Sequence, residues 1–447
     1  MGVISETKQT EISLDKVYKM PVKLTTIRYE GKILIIANDT ANWIVLENER
    51  QQRFFELLKS HSLKDALYLF KGDMSDAQGV VVQLEARQFE NTEVKRVSGD
   101  RLHLYLTNAC NLRCPHCYMY AGKQFENELT TDEIKKLLTL YSESGGKNVT
   151  FSGGEICMRH DLLELISHGN DCGLKIQLLT NGVLWTDEMI RATAPLVSAV
   201  QISIDGFDEE ENSKIRGKGN FVKALRTLGE FITLKCHTEL AVTPFYDDTL
   251  KTKIKKYIAF GNALLEKYKG TGFRIIFTGE LLDGRNVKLN ERQRDEYSRL
   301  MEKINNACYG EETSEDAFVW ARLRKEIKEN CTFGCLNVSA IGDVYLCSRM
   351  GKLKPYANIR TTDFSKIIQL SNKAKEISKV DYLKPCKDCE LKYLCGGGCR
   401  IKYFSTLAQC SDVNELSSGS IQPRTCTFKD KKYLYDLMLK TNHRLFR

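Results

Sequence analysis

Apolar positions change their spacing along this chain, and each change marks a new kind of element. Three short apolar runs come first, at 23–28, 33–37 and 43–46, divided by Glu30-Gly31-Lys32 and Asn38-Asp39-Thr40-Ala41. Both dividers contain turn formers, so the runs predict three short strands. Helical spacing follows, with Phe54, Phe55, Leu57 and Leu58 in one segment, Leu63, Ala66, Leu67 and Leu69 in the next, and Val80, Val81, Leu84 and Ala86 in a third. From residue 102 strand and helix patterns alternate. Strands are predicted at 102–107, 148–152, 175–180, 200–204, 237–243 and 273–278. The clearest helix begins at Thr130, where Glu133 completes a capping box. It carries Ile134, Leu137, Leu138 and Tyr141 on one face and stops at Gly145-Gly146. Six strand–helix units predict a parallel, barrel-like sheet with its active site at the C-terminal strand ends. Residues 291–330 read as a charged helical bridge, with Tyr297, Leu300, Met301 and Ile304 on one stripe, and a cysteine-rich region runs from Cys331 to Cys426.

Length and charge narrow the classes. A chain of 447 residues has room for roughly two to four domains. No run of 18 apolar residues is present, so no membrane span is expected. The start has no basic-then-apolar signal region, and Glu6 stands where a myristoylation site needs Ser or Thr, so a cytoplasmic location is expected. The formal charge of +8 is modest for this length, and the basic run from Lys251 to Lys256 fits a solvated helix face. Over residues 1–100 there are 15 acidic and 14 basic residues, which argues against nucleic acid as a partner of this segment. All 16 cysteines lie beyond residue 100, which sets the first hundred residues apart as a module. In a cytosolic chain they are expected to bind metal rather than form disulfides.

Cys110, Cys114 and Cys117 lie in C-x3-C-x2-C spacing. Thiolates are soft ligands suited to iron–sulfur clusters. Three of them leave one iron of a four-iron cluster open, whereas a bacterial ferredoxin run supplies every ligand. The motif resembles the radical S-adenosylmethionine (SAM) superfamily, in which the open iron chelates SAM and electron transfer yields a 5′-deoxyadenosyl radical. A zinc knuckle is the plainer reading of three close cysteines. Phe151-Ser152-Gly153-Gly154-Glu155, at a predicted strand end, resembles the GGE motif of the same superfamily. There the backbone and the acid meet the SAM amino group. Ile156 stands where that family usually has proline. By the same resemblance, His116 packs near the adenine, and Ser203 and Arg216 anchor the SAM carboxylate or ribose. Thr180-Asn181-Gly182 reads as a plain strand-ending turn.

A second group runs Cys386-x2-Cys389-x5-Cys395-x3-Cys399, with Cys331-x3-Cys335 and Gly342-x4-Cys347 upstream and Cys426 downstream. Eight cysteines saturate two four-iron clusters. The arrangement resembles the SPASM domain of peptide and protein maturases. That resemblance implies that Cys331, Cys335, Cys347 and Cys399 hold one cluster and Cys386, Cys389, Cys395 and Cys426 the other. Cys410 is the alternative to Cys426. Cys157, Cys172, Cys236, Cys308 and Cys410 remain, and buried, inert thiols are expected, with Cys157 the exception to watch because it lies two residues past Glu155.

The resemblance implies an α/β chain with a partial (β/α)6 radical SAM barrel over 98–290. Residues 291–330 are the bridge, and 331–447 form a SPASM domain with a C-terminal helix. Residues 1–97 resemble a PqqD-like, winged helix-turn-helix recognition element, which binds a leader peptide as a strand beside its own third strand. The implied function is maturation of a ribosomally synthesised precursor peptide by 5′-deoxyadenosyl-radical hydrogen abstraction. The implied product is an intramolecular crosslink, a thioether before a C–C bond. The implied cofactors are three [4Fe-4S] clusters and SAM, and the implied partners are a precursor peptide with an N-terminal leader and an electron donor such as ferredoxin or flavodoxin. A sulfatase-maturating, formylglycine-forming enzyme is the enzymatic rival. An iron–sulfur DNA-binding regulator is the rival from another class, and it leaves the Gly153-Gly154-Glu155 loop unexplained. No general base is evident.

Overall fold

A computed structural model of the chain describes residues 12–90, 93–97, 100–310, 326–350, 353–410, 412–417 and 419–445. Strands β1 (Leu24–Tyr29), β2 (Lys32–Ala37) and β3 (Asn42–Leu46) form an antiparallel sheet in the order β1-β2-β3. Helices α1 (Glu49–Leu58), α2 (Leu63–Leu69) and α3 (Met74–Ala86) follow, capped by the side chains of Asn48, Ser62 and Asp73. β2 and β3 are apolar at nearly every position because both faces are covered. Ile33, Ile35, Ile44 and Leu46 pack against these helices. Leu34, Ile36, Trp43 and Val45 pack against Tyr435 and Met438 of the C-terminal helix, Phe428–Leu445.

The predicted parallel sheet is present. β5 (Leu102–Tyr105), β6 (Asn148–Ser152), β7 (Lys175–Thr180), β8 (Ala199–Ile204), β9 (Thr238–Val242) and β10 (Arg274–Phe277) lie side by side in chain order, every pair parallel. Helix α4 (Thr131–Glu143) forms the expected capping box: Glu133 N donates to Thr130 Oγ1 at 3.3 Å and Thr130 N to Glu133 Oε2 at 2.8 Å. Its predicted apolar stripe is buried, as are α5 (Leu162–Asp171), α6 (Asp187–Thr193), α7 (Glu209–Arg216), α8 (Asn220–Thr233) and α9 (Leu250–Lys267) on their inner sides.

Two features depart from the sequence reading. Among its described residues the predicted bridge is helical as α10 (Glu291–Tyr309), and residues 311–325 lie outside the described residues. Glu326–Lys328 is instead a strand, β11, paired in parallel with β4 (Lys95–Val97). Arg96 pairs with Glu329 beside it. Three residues with one buried apolar side chain, Ile327, are too few to show a period of two. The sheet also continues past the six predicted strands. β12 (Asn337–Val338) adds in parallel beside β5, followed by antiparallel β13 (Asp343–Tyr345) and β14 (Ala357–Asn358), giving nine strands. The cysteine-rich region is therefore docked on the first barrel strand, where Tyr105 Oη donates to Ser348 O at 3.0 Å. Among the described residues no helix is long and apolar enough to cross a membrane.

Candidate radical SAM site and auxiliary cysteine sets

The loop after β5 places Cys110, Cys114 and Cys117 on a cavity of about 330 Å³ at the C-terminal ends of the strands. His116, Gly153, Gly154, Ser203 and Arg216 line it as well. The loop is held at several points. Gly154 N donates to Thr107 O and Glu155 N to Ala109 O, both at 2.8 Å. Arg285 Nη2 donates to Ala121 O at 2.6 Å, and Asn286 N to Pro115 O at 2.7 Å.

Gly153 and Gly154 are required by this close approach. Gly153 has φ +142°, and a Cβ on Gly154 would lie 2.2 Å from Ala109 O and 2.7 Å from Ala109 C. Backbone atoms cannot swing aside as a side chain does. G154A is therefore expected to displace the cysteine loop and to lower SAM affinity at least tenfold, or about 1.4 kcal/mol, checked by equilibrium dialysis with labelled SAM. Wild-type affinity in G154A would refute the close packing as a requirement. Ile156, in the place of the usual proline, is fully buried in the barrel core.

Two predicted contacts are used differently. Glu155 does not face the cavity. Its Oε1 accepts from Thr180 Oγ1 at 2.6 Å and Cys157 N at 3.2 Å, and its Oε2 from Asn181 N at 2.7 Å. In this structure the carboxylate ties two strand ends together, where it was expected to receive an ammonium group. Burial raises its pKa against these donors. Burial also pushes the neighbouring Cys157 thiol far above its ordinary value. Arg216 lines the cavity, but its Nε and Nη2 donate to Asp205 at 2.5 and 3.2 Å. Burial works against the Arg216 charge, yet Asp205 and the nearby thiols hold its pKa above the usual value. Removing one member of this buried pair strands the other, at about 3–5 kcal/mol. The fork expected for SAM is thus engaged, and Arg216 offers the cavity its charge.

The reading of Thr180-Asn181-Gly182 as a plain turn also changes. Thr180 and Asn181 line the cavity, and Asn181 Nδ2 donates to Asn111 Oδ1 in the cysteine loop at 2.8 Å. Five successive strands carry a hydroxyl residue on the cavity at their C-terminal end or one residue from it: Ser152, Thr180, Ser203, Thr243 and Thr278. That recurrence is visible in the sequence once the strand ends are known.

Four cysteines of the second region share a cavity. Cys386, Cys389, Cys395 and Cys426 line one cavity of about 260 Å³ with Arg424 and Lys431. Cys410 instead packs with Leu407 and Val413 in an apolar core. Cys335 and Cys347 are buried, and after burial itself the neighbouring Cys331 and Cys399 contribute to raising the Cys347 thiol. Among the described residues no three His, Cys, Asp or Glu side chains converge as around a single metal ion.

The donor chemistry suits iron–sulfur clusters in all three places. Burial pushes the Cys114 and Cys389 thiols to about 11 each, so loading such a site releases protons. His116 also suits a heterocyclic ligand. Burial lowers its pKa and keeps it neutral, and its buried Nδ1 has no partner among the described residues.

Residues 104–251, from β5 into α9, match the family model of the Radical SAM superfamily. The computed structure has the corresponding α/β fold with a mostly parallel sheet. The solved structure of native anSMEcpe with bound AdoMet has the same fold, with a TM-score of 0.56 at 16% identity, covering 78% of this chain and 100% of that one. An AdoMet-dependent heme synthase of Methanosarcina barkeri is 27% identical over 327 residues, 67% of this chain and 90% of its own. A PqqA peptide cyclase of Bradyrhizobium diazoefficiens is 28% identical over 325 residues, 70% of this chain and 84% of its own.

Proposed function

We propose that this radical SAM protein matures a ribosomally made precursor peptide by forming an intramolecular crosslink. The two relatives are named for different substrates, a heme and a peptide, so the choice rests on the chain's own parts. The observation that carries it is the combination of a cysteine-lined barrel cavity, a second cavity lined by four more cysteines and an N-terminal sheet-and-helix module. When bound, a cluster on Cys110, Cys114 and Cys117 together with SAM supplies a 5′-deoxyadenosyl radical for hydrogen abstraction. The protein's share is to hold the peptide at the strand ends, keep water out and orient one C–H bond. Gly153 and Gly154 bring backbone to the SAM position, His116 packs against its base, and Ser203 and the hydroxyl ring give it polar contacts. Cys331, Cys335, Cys347 and Cys399 hold one auxiliary cluster, and Cys386, Cys389, Cys395 and Cys426 the other. Residues 1–97 then serve as the leader-binding element, 98–290 as the barrel and 331–447 as the SPASM domain.

The leader edge differs from the one the resemblance implied. In β3, Trp43 and Val45 direct their backbone groups away from β2, by the alternation of the antiparallel ladder. Val45 N donates to Gln83 Oε1 at 2.9 Å, Gln83 Nε2 donates to Val45 O at 2.6 Å, and Trp43 N donates to Asn42 Oδ1 at 2.9 Å. All five residues of β3 are buried. At the other edge the same alternation turns Thr26 and Arg28 of β1 outward, and both are exposed. A leader therefore adds beside β1. The T26P variant removes one outward N–H without breaking the ladder to β2. It is expected to weaken binding of the full-length precursor about tenfold, the scale of one backbone hydrogen bond plus a steric block. Fluorescence anisotropy with the labelled precursor reads this. Unchanged affinity in T26P would remove β1 as the docking edge. The substrate class is tested by turnover: reductant and SAM with the precursor should give 5′-deoxyadenosine and a modified peptide, and a porphyrin modified in its place would overturn the reading.

A further inference from the structure

We propose that Arg400 is a positioning residue shared by both auxiliary cysteine sets, fixing the turn between them and placing one positive charge between the clusters they hold. The inference rests on the reading of those sets as cluster sites. Arg400 is fully buried, and its donors are spent on neutral carbonyls. Nη1 donates to Gly396 O at 2.8 Å and Gly398 O at 2.7 Å, Nε to Ser378 O at 2.8 Å, and Nη2 to Glu329 O at 3.2 Å. Among the described residues no carboxylate pairs with it. A buried cation without an anion is costly and calls for a compensating negative charge. Arg400 directly follows Cys399 of one set, and the turn its Nη1 holds through Gly396 O and Gly398 O is preceded by Cys395 of the other. As cluster ligands, these two thiolates would supply negative charge at the two ends of the turn that the guanidinium holds.

The turn explains why the residue sits there. Gly396, Gly397 and Gly398 have φ of +66°, +75° and +70°, a left-handed run that side chains disfavour. Cys395 of one set precedes the run and Cys399 of the other follows it, so the turn sets their spacing. Arg400 holds the first and third carbonyls, and Arg424 Nη1 holds the second, Gly397 O, at 3.0 Å. Arg424 differs in place: it lines the cavity of Cys386, Cys389, Cys395 and Cys426, all from one set. Arg424 is therefore an internal control for a one-sided effect.

The experiment compares the reconstituted full-length chain with R400Q, R400K and R424Q by iron content and by redox titration followed with electron paramagnetic resonance. A nearby cation stabilises the more negative, reduced cluster. R400Q is expected to shift both auxiliary potentials downward and leave the Cys110-Cys114-Cys117 signal in place. R424Q is expected to shift one auxiliary potential, and R400K to restore most of the loss. R400Q with full iron and unmoved auxiliary potentials would overturn the shared role. If R400Q fails to load, loss of iron from both auxiliary sets with recovery in R400K supports it, and loss from one set alone, or no recovery, overturns it. Wild-type chain with about twelve irons and an inert R400Q defeats this inference only, whereas wild-type loading near four irons defeats the cluster reading beneath it.

Discussion

With Cys110, Cys114 and Cys117 all replaced by alanine, the reconstituted chain should form no 5′-deoxyadenosine under reducing conditions while keeping about eight of about twelve irons. Complete loss is expected because the three cysteines share one cavity with the backbone and polar groups that suit SAM, and neither of the other sets does. Each of those sets has four cysteines, which leaves no iron open for a substrate. The third of the iron that disappears should carry the SAM-responsive signal in Mössbauer spectra. The barrel itself should survive, since its core is built from strand and helix side chains such as Leu104, Phe151 and Ile202, which do not depend on the cysteine loop. Persistent 5′-deoxyadenosine in the triple variant would move the radical chemistry to another cysteine set.

The elements that were legible from the sequence are those long enough to show their period. β6 and β7 fall on their predicted bounds, and α4 carries both the predicted cap and the predicted stripe. β11, β12 and β14 have two or three residues each, so no alternation announces them, and β11 and β12 are held by pairing with strands far away in sequence. The cavity residues Cys110, His116, Gly154 and Ser203 were legible because each belongs to a spaced motif. The protein partners of Glu155 and Arg216 were not, because a motif gives the residue and not its neighbours in the fold. Thr180, Asn181 and Asp205 are those partners, and only folding brings them within hydrogen-bond distance. The closing of the β3 edge was hidden for the same reason, since Gln83 reads as a polar residue on α3 until the helix is packed against the sheet.

A peptide product two hydrogens lighter per crosslink, with one fewer alkylatable cysteine each time, is the expected outcome of turnover with the native precursor. Joining a C–H carbon to a cysteine sulfur releases the hydrogen of each partner, so the mass loss follows from the bond formed. The thioether is favoured because an iron–sulfur site suits a soft thiolate. The two auxiliary sets weigh against direct ligation, since four cysteines apiece fill every position and one would have to leave. A thioether does not depend on that exchange. Clusters held by Cys331, Cys335, Cys347 and Cys399 and by Cys386, Cys389, Cys395 and Cys426 would supply an acceptor for the one electron left when a substrate thiol, losing its proton, bonds directly to the carbon radical. The C–C crosslink has the same mass change and consumes no thiol, so alkylation followed by tandem mass spectrometry separates the two. A two-hydrogen loss with every cysteine still alkylated would establish the C–C bond and leave the auxiliary sets a purely electron-accepting part.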